Sequence, residues 1–206
     1  LGLFLGLTGA HMNGRDALDL GLADRFLLDE QQDEMLEGLL QLNWQEQTAM
    51  QLNSLFKALA QEAVSQQPAP QWLPRRQQID EWLDVGDVCG AWRALSQLRE
   101  HADPLFSRAG KTLSEGCPLT AHLVWEQIRR ARHLSLSEVF QMEYTLSLNC
   151  CRHPEFSEGV RARLIDKDQQ PHWHWPDIKR IPEAVVEAHF HKAWDGRHPL
   201  ADLSDL

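Results

Sequence analysis

The feature that most limits what this chain can fold into is a helical apolar period. It recurs along nearly the whole sequence, with almost no sustained alternation of apolar and polar residues. Leu52, Leu55, Phe56, Leu59 and Ala63 fall at i, i+3, i+4, i+7 and i+11. Val88, Ala91, Trp92, Leu95 and Leu98 form a second stripe, and Met35, Leu36, Leu39 and Leu40 a third. Each stripe buries one helix face and leaves the other wet. A mostly α chain is therefore expected.

Cap and breaker residues divide the pattern. Asn13-Gly14 marks a turn before a short helix over residues 15–20, with Gly21 at its C′ position. Asn43 with Glu46 reads as a capping-type start. Prolines at 68, 70 and 74 make residues 65–70 the best linker. Asp103-Pro104 reads as N-cap then N1, and Cys117-Pro118 opens a helix to about Arg132. Ser135 with Glu138 is a capping box before Val139, Met142, Leu146 and Cys150. His153-Pro154 breaks the chain, and a helix follows over residues 156–165. A polar, aromatic loop spans residues 166–182, and Pro182 starts a last short helix. One short strand is expected over residues 23–28. Three segments result, at 1–30, 31–74 and 75–206.

The 206 residues, 43% of them hydrophobic, suffice to bury a core. The formal charge of −10 argues against nonspecific binding to nucleic acid or an anionic membrane, because phosphates would be repelled. No apolar run approaches the ~20 residues that span a bilayer. Residues 1–7 are apolar, but Gly2 and Gly6 interrupt them and no basic segment precedes them, so they do not read as a signal peptide. The chain opens in mid-pattern, as if an upstream part were missing. Cys89, Cys117, Cys150 and Cys151 form no C-x-x-C spacing and are too sparse for a disulfide scaffold. Helix packing is the expected role of Cys150 and Cys151, and a reducing, cytoplasmic setting the expected location.

No G-x-S-x-G, Walker, H-E-x-x-H or G-x-G-x-x-G motif occurs. Gly2, Gly6 and Gly9 read as a smooth helix face for close packing, not a phosphate cradle. His172/His174 and His189/His191 form two H-x-H pairs, but no cysteine lies at ligand spacing, so no metal site is assigned. Arg129, Arg130 and Arg132 fit the cation preference of a helix C-terminus; the functional alternative is an anion site for coenzyme A phosphates. Asp166 with Asp168, and Glu183 with Glu187, are paired carboxylates of the kind that is usually solvated.

Two segments carry a resemblance. Leu7-Thr8-Gly9, Asn13-Gly14-Arg15-Asp16-Ala17 and Gly21-Leu22-Ala23-Asp24 resemble the "LTG…A…GLA" stretch of the crotonase (enoyl-CoA hydratase/isomerase) superfamily. Met142-Glu143-Tyr144, then Glu158-Gly159-Val160-Arg161-Ala162-Arg163-Leu164-Ile165-Asp166-Lys167-Asp168, Pro171 and Trp173, resemble the C-terminus of its 3-hydroxyisobutyryl-CoA hydrolase branch. Cys117-Pro118-Leu119-Thr120 is similar to the family's "SP" helix start, with Cys for Ser.

The resemblance implies the C-terminal helical portion of a crotonase-like α/β fold, mostly α with one or two short strands. It implies a parent enzyme that hydrolyses the 3-hydroxyisobutyryl-CoA thioester in valine catabolism. The alternatives are an enoyl-CoA hydratase or isomerase, and a noncatalytic assembly or CoA-covering piece. Thioester attack needs preorganised oxyanion donors and an activating carboxylate. In the family both lie upstream of the "LTG" stretch, so no catalytic residue is assigned in this chain. Lys167 matches a lysine that can meet the coenzyme A phosphates; its plainer reading is a surface lysine near a helix C-terminus. Arg163 stands where many relatives place a Phe against the adenine, and a guanidinium can also stack there. No cofactor is implied beyond the coenzyme A of the substrate. The implied partners are that acyl-CoA, the missing N-terminal half and a further copy, drawn together by an apolar face at residues 1–7.

Overall fold

The computed structural model describes residues 1–204. Its helices are α1 (Gly2–Thr8), α2 (Gly14–Asp19), α3 (Gln32–Gln41), α4 (Thr48–Ala63), α5 (Arg76–Trp82) and α6 (Val88–Ser96). Then follow α7 (Pro104–Glu115), α8 (Pro118–Ala131), α9 (Leu136–Arg152), α10 (Pro154–Val160) and α11 (Glu183–Phe190). They form two compact units. His11–Ile79 is one; Leu1–Ala10 with the chain from Asp80 onward is the other. This divides the chain differently from the three segments drawn on sequence pattern.

In the His11–Ile79 unit, Asn13 caps α2 by accepting from Asp16 N, while the Asp16 carboxylate accepts from Asn13 N. Gly21 follows the helix with φ 69°, the left-handed conformation that suits glycine. Asp16 is fully buried. Its Oδ1 accepts from Gln71 N (2.7 Å) and Trp72 N (3.0 Å), so the linker is pinned rather than loose. The Trp72 indole donates to His11 O at 2.8 Å. α3 and α4 pack as a hairpin. Gly38 permits it, since a Cβ there would lie 2.6 Å from Leu55 Cδ1.

Two expectations fail here. Residues 23–28 form no strand, and none occurs among the described residues. An extended segment becomes a strand only with a partner to hydrogen-bond, and nothing in this unit offers an edge. Asn43 and Glu46 do not start α4. The Asn43 side chain accepts from Gln45 N at 3.1 Å, closing a local turn. α4 begins only after Gln47, itself at φ 48°.

In the other unit, α1 lies against α7 and α8. Phe4 and Leu7 are buried, and Phe4 meets the Phe106 ring edge-on with centroids 6.3 Å apart. Phe4 and Leu7 thus face α7 and α8, while Leu1, Leu3 and Leu5 stay half-exposed. Of the three glycines, only Gly6 serves close packing, because a Cβ there would come 2.9 Å from Val124 Cγ1. Gly9 is instead the left-handed C-cap at φ 61°. α6 packs on α7. Asp103 caps α7 by accepting from Leu105 N, and Ser135 and Glu138 form a complete capping box on α9. Leu119 and Leu123 of α8, Leu146 of α9, and Ile181 and Val186 at α11 make a common core.

Candidate functional site

The carboxyl-terminal helices enclose an apolar pocket of about 370 Å³. α8 contributes Leu119, Thr120 and Leu123, with Cys117 at its entry, and α9 contributes Cys150. α10 adds Glu155, Phe156, Gly159 and Val160; Arg163, Leu164 and Trp173 follow, and His153 and His189 complete the wall. The breaker at His153-Pro154 makes this possible. It ends α9 and starts α10 in a new direction, opening space between them. His153 also caps α10, its Nδ1 accepting from Glu155 N at 3.3 Å. Trp173 lies over Gly159, where a Cβ would meet the indole at 3.4 Å.

The pocket's polar groups are few, and Glu155 and one ring nitrogen of each histidine are locally committed. The buried Glu155 carboxylate accepts from His174 N (3.1 Å) and Trp175 N (3.4 Å), tying the aromatic loop to α10. His189 Nδ1 donates to Val185 O at 2.7 Å. The His153 and His189 rings lie 4.9 Å apart, and Trp175 stacks on His153 at 5.7 Å. Burial lowers the His153 pKa, the neighbouring His189 adds to this, and Glu155 opposes it. Burial raises the pKa of both the Cys117 and the Cys150 thiol. A nucleophilic cysteine needs the opposite shift, so these thiols stay protonated and line the wall as small apolar groups. The lining of the pocket is mostly apolar, and burial disfavours the thiolate form of both cysteines.

Beside it, Arg161 organises the segment that carries the resemblance. A π-helical turn, Arg161–Ile165, follows α10. The Arg161 guanidinium donates to Glu158 (2.8 Å), Asp166 (2.7 Å), Asp168 (2.6 Å) and Gln170 O (3.0 Å). Glu158 also accepts from His172 N at 2.6 Å. Hydrogen bonds from Arg161, and then from His172 N, hold the Glu158 carboxyl at about 2. The Arg161 pKa is raised in turn, by Glu158 first and then by Asp168 and Asp166. The Asp166/Asp168 pair is exposed, as expected, and both carboxylates also pair with Arg161.

The two residues carried over by resemblance part company. Arg163 is exposed and reaches the pocket rim. Lys167 lies past the turn at φ 57°, exposed, and does not line the pocket. Neither has an acidic partner among the described residues. The Arg129–Arg132 cluster is partly spent on carboxylates: Arg129 pairs with Glu126, and Arg130 with Glu126 and Glu187. Arg130 also sits 4.1 Å over the Phe190 ring. No group of three or more potential metal-ligating side chains converges among the described residues. No described helix is long and apolar enough to cross a membrane. Sequence reasoning missed the His153–His189 pair and the Arg161 clamp. The only signal for the pair was that both histidines flank ends of apolar helices.

The model of the enoyl-CoA hydratase/isomerase family matches residues 1–190. The chain is similar to the mitochondrial 3-hydroxyisobutyryl-CoA hydrolase of Danio rerio, at 31% identity over 92% of this chain and 49% of that protein. It is 30% identical to the Homo sapiens enzyme of the same name, over 92% of this chain and 48% of that one. A crystal structure of a carnitinyl-CoA dehydratase from Mycobacterium thermoresistibile superposes with a TM-score of 0.74 at 29% identity, over 93% of this chain and 51% of that one. The chain thus spans about half the length of the curated relatives it matches. Those relatives are named as mitochondrial, which overturns the expected cytoplasmic setting. With the family model matching residues 1–190, this chain belongs to the enoyl-CoA hydratase/isomerase family.

Proposed function

We propose that this chain forms the substrate-seating helical half of an acyl-CoA thioester hydrolase acting on 3-hydroxyisobutyryl-CoA. The observation that carries the reading is the apolar pocket whose thiols are held protonated and whose carboxylate is taken up by backbone N–H groups. Such a pocket can bind an acyl chain, and its protonated thiols and committed carboxylate are not poised to form an acyl-enzyme. Oxyanion stabilisation and the activating carboxylate then come from the other half of the family fold. Coenzyme A enters as part of the substrate, and the chemistry needs no separate cofactor. Arg163 at the rim and Lys167 beyond it supply positive charge to the thioester's phosphates. The hydrolase names of the relatives, at 28–31% identity, favour this substrate.

The likeness to a dehydratase favours a second reading, addition or loss of water at the acyl chain. One experiment tests both. The chain is assayed alone, and joined behind the upstream half of a relative, for thiol release and for water addition on matched CoA thioesters. Thiol release only in the joined protein supports the proposal. Water addition without thiol release selects the second reading, and thiol release by the chain alone overturns the assignment of its chemistry. In the joined protein, Lys167→Asn removes the charge while keeping a residue that tolerates left-handed backbone. A several-fold rise in KM with kcat held is expected if Lys167 meets phosphate.

A further inference from the structure

The pocket's two histidines are fixed in complementary tautomers. His153 Nδ1 accepts the Glu155 backbone N–H, so a neutral ring carries its proton on Nε2. His189 Nδ1 faces the Val185 carbonyl, which can only accept, so its proton is on Nδ1 and Nε2 keeps a lone pair. Both side chains line the pocket, with ring centroids 4.9 Å apart. A mostly apolar wall therefore offers one N–H donor and one nitrogen acceptor side by side.

A single chemical group uses both at once. A hydroxyl accepts one hydrogen bond and donates another. A carboxylate could not satisfy the His189 lone pair, and an ammonium could not satisfy the His153 N–H. Resting on the reading of this pocket as the seat of an acyl chain, we propose that His153 and His189 select chains that carry a hydroxyl. His153 Nε2–H donates to the hydroxyl oxygen, and the hydroxyl proton goes to His189 Nε2. The hydrophobic lining of Leu119, Leu123, Phe156 and Val160 takes the carbon skeleton. A chain lacking the hydroxyl leaves both ring nitrogens without a partner against its carbon skeleton, and this penalty is what makes polar recognition selective.

The test compares 3-hydroxyisobutyryl-CoA with isobutyryl-CoA, which differ only in that hydroxyl, by titration calorimetry on the full chain. The hydroxylated thioester should bind about tenfold more tightly, the discrimination of one well-placed polar group. His153→Asn keeps a side-chain acceptor for the start of α10 but removes the Nε2 donor. His189→Phe keeps a ring of similar shape and removes the acceptor. Each should reduce the preference to about twofold or less. Equal affinity in the unaltered chain, or a preference that survives both substitutions, overturns the hydroxyl assignment and leaves the acyl-CoA reading standing. Binding of neither thioester removes that reading, and the inference with it.

Discussion

Arg161 closes the segment from Glu158 to Gln170 upon itself, using five donors in a fixed fork. Lysine has the charge but not the fork, so Arg161→Lys should loosen this stretch. Hydrogen exchange over residues 161–172 should accelerate in the variant while α8 and α9 stay protected. Glu158 adds a pH dependence whose sign follows from its depressed carboxyl. The contribution is complete above the ordinary carboxylate value of 4.5 and disappears as pH falls through about 2. The His172 amide, which donates to Glu158, should therefore report a midpoint near 2 in an NMR titration. In Glu158→Gln that titration should vanish. The sequence marked this segment by its family likeness and drew attention to Arg163 and Lys167. Arg161 went unread because its partners meet only after the π-helical turn folds residues 166 and 168 back toward α10.

Among the helices, starts were legible wherever the cap was local. Asp103, Ser135 with Glu138, and Pro118 each lie within three residues of the group they satisfy or the turn they begin. Ser135→Ala should cost about 1 kcal/mol, the usual value of a lost N-cap, read from thermal or denaturant unfolding. Asn43 has the right letters, but its side chain bonds two residues on, and Gln51 reaches back to its N–H at 3.1 Å. Local competition of that kind is invisible to a spacing rule. Glycine roles were legible only in part, because a close approach depends on the neighbouring helix. Gly110 shows this: a Cβ there would lie 2.4 Å from Arg99 N and 2.7 Å from Leu98 C. Backbone cannot step aside as a side chain can, so Gly110→Ala should destabilise by about 3 kcal/mol, the upper end of overpacking costs. Gly6→Ala faces only the Val124 methyl and should cost about 1 kcal/mol. Val124→Ala in the same protein should recover much of that loss, as a double-mutant cycle would show.

At the scale of the molecule, the mostly helical class was legible from apolar period alone, while the division into two units was not. The Pro-rich stretch looked like a boundary by composition, yet its neighbours Gln71 and Trp72 are held by a carboxylate more than fifty residues earlier. Asp16→Ala leaves those two N–H groups and that of Asn13 without their acceptor, at a cost of at least about 2 kcal/mol. Hydrogen exchange should then rise across residues 11–79 more than in α7 and α8. The pocket was equally hidden, because it needs α8, α9, α10 and α11 together, and no window of sequence holds all four. The placement of α1 against α7 and α8 also bears on how the protein is made. When Phe4 and Leu7 leave the ribosome, the helices that cover them are still roughly a hundred residues from synthesis, a wait of roughly 5–25 s at ordinary translation rates. For that interval Phe4 and Leu7 lack the α7 and α8 partners that bury them, and chaperone occupancy on this stretch of the nascent chain should fall once α8 has emerged.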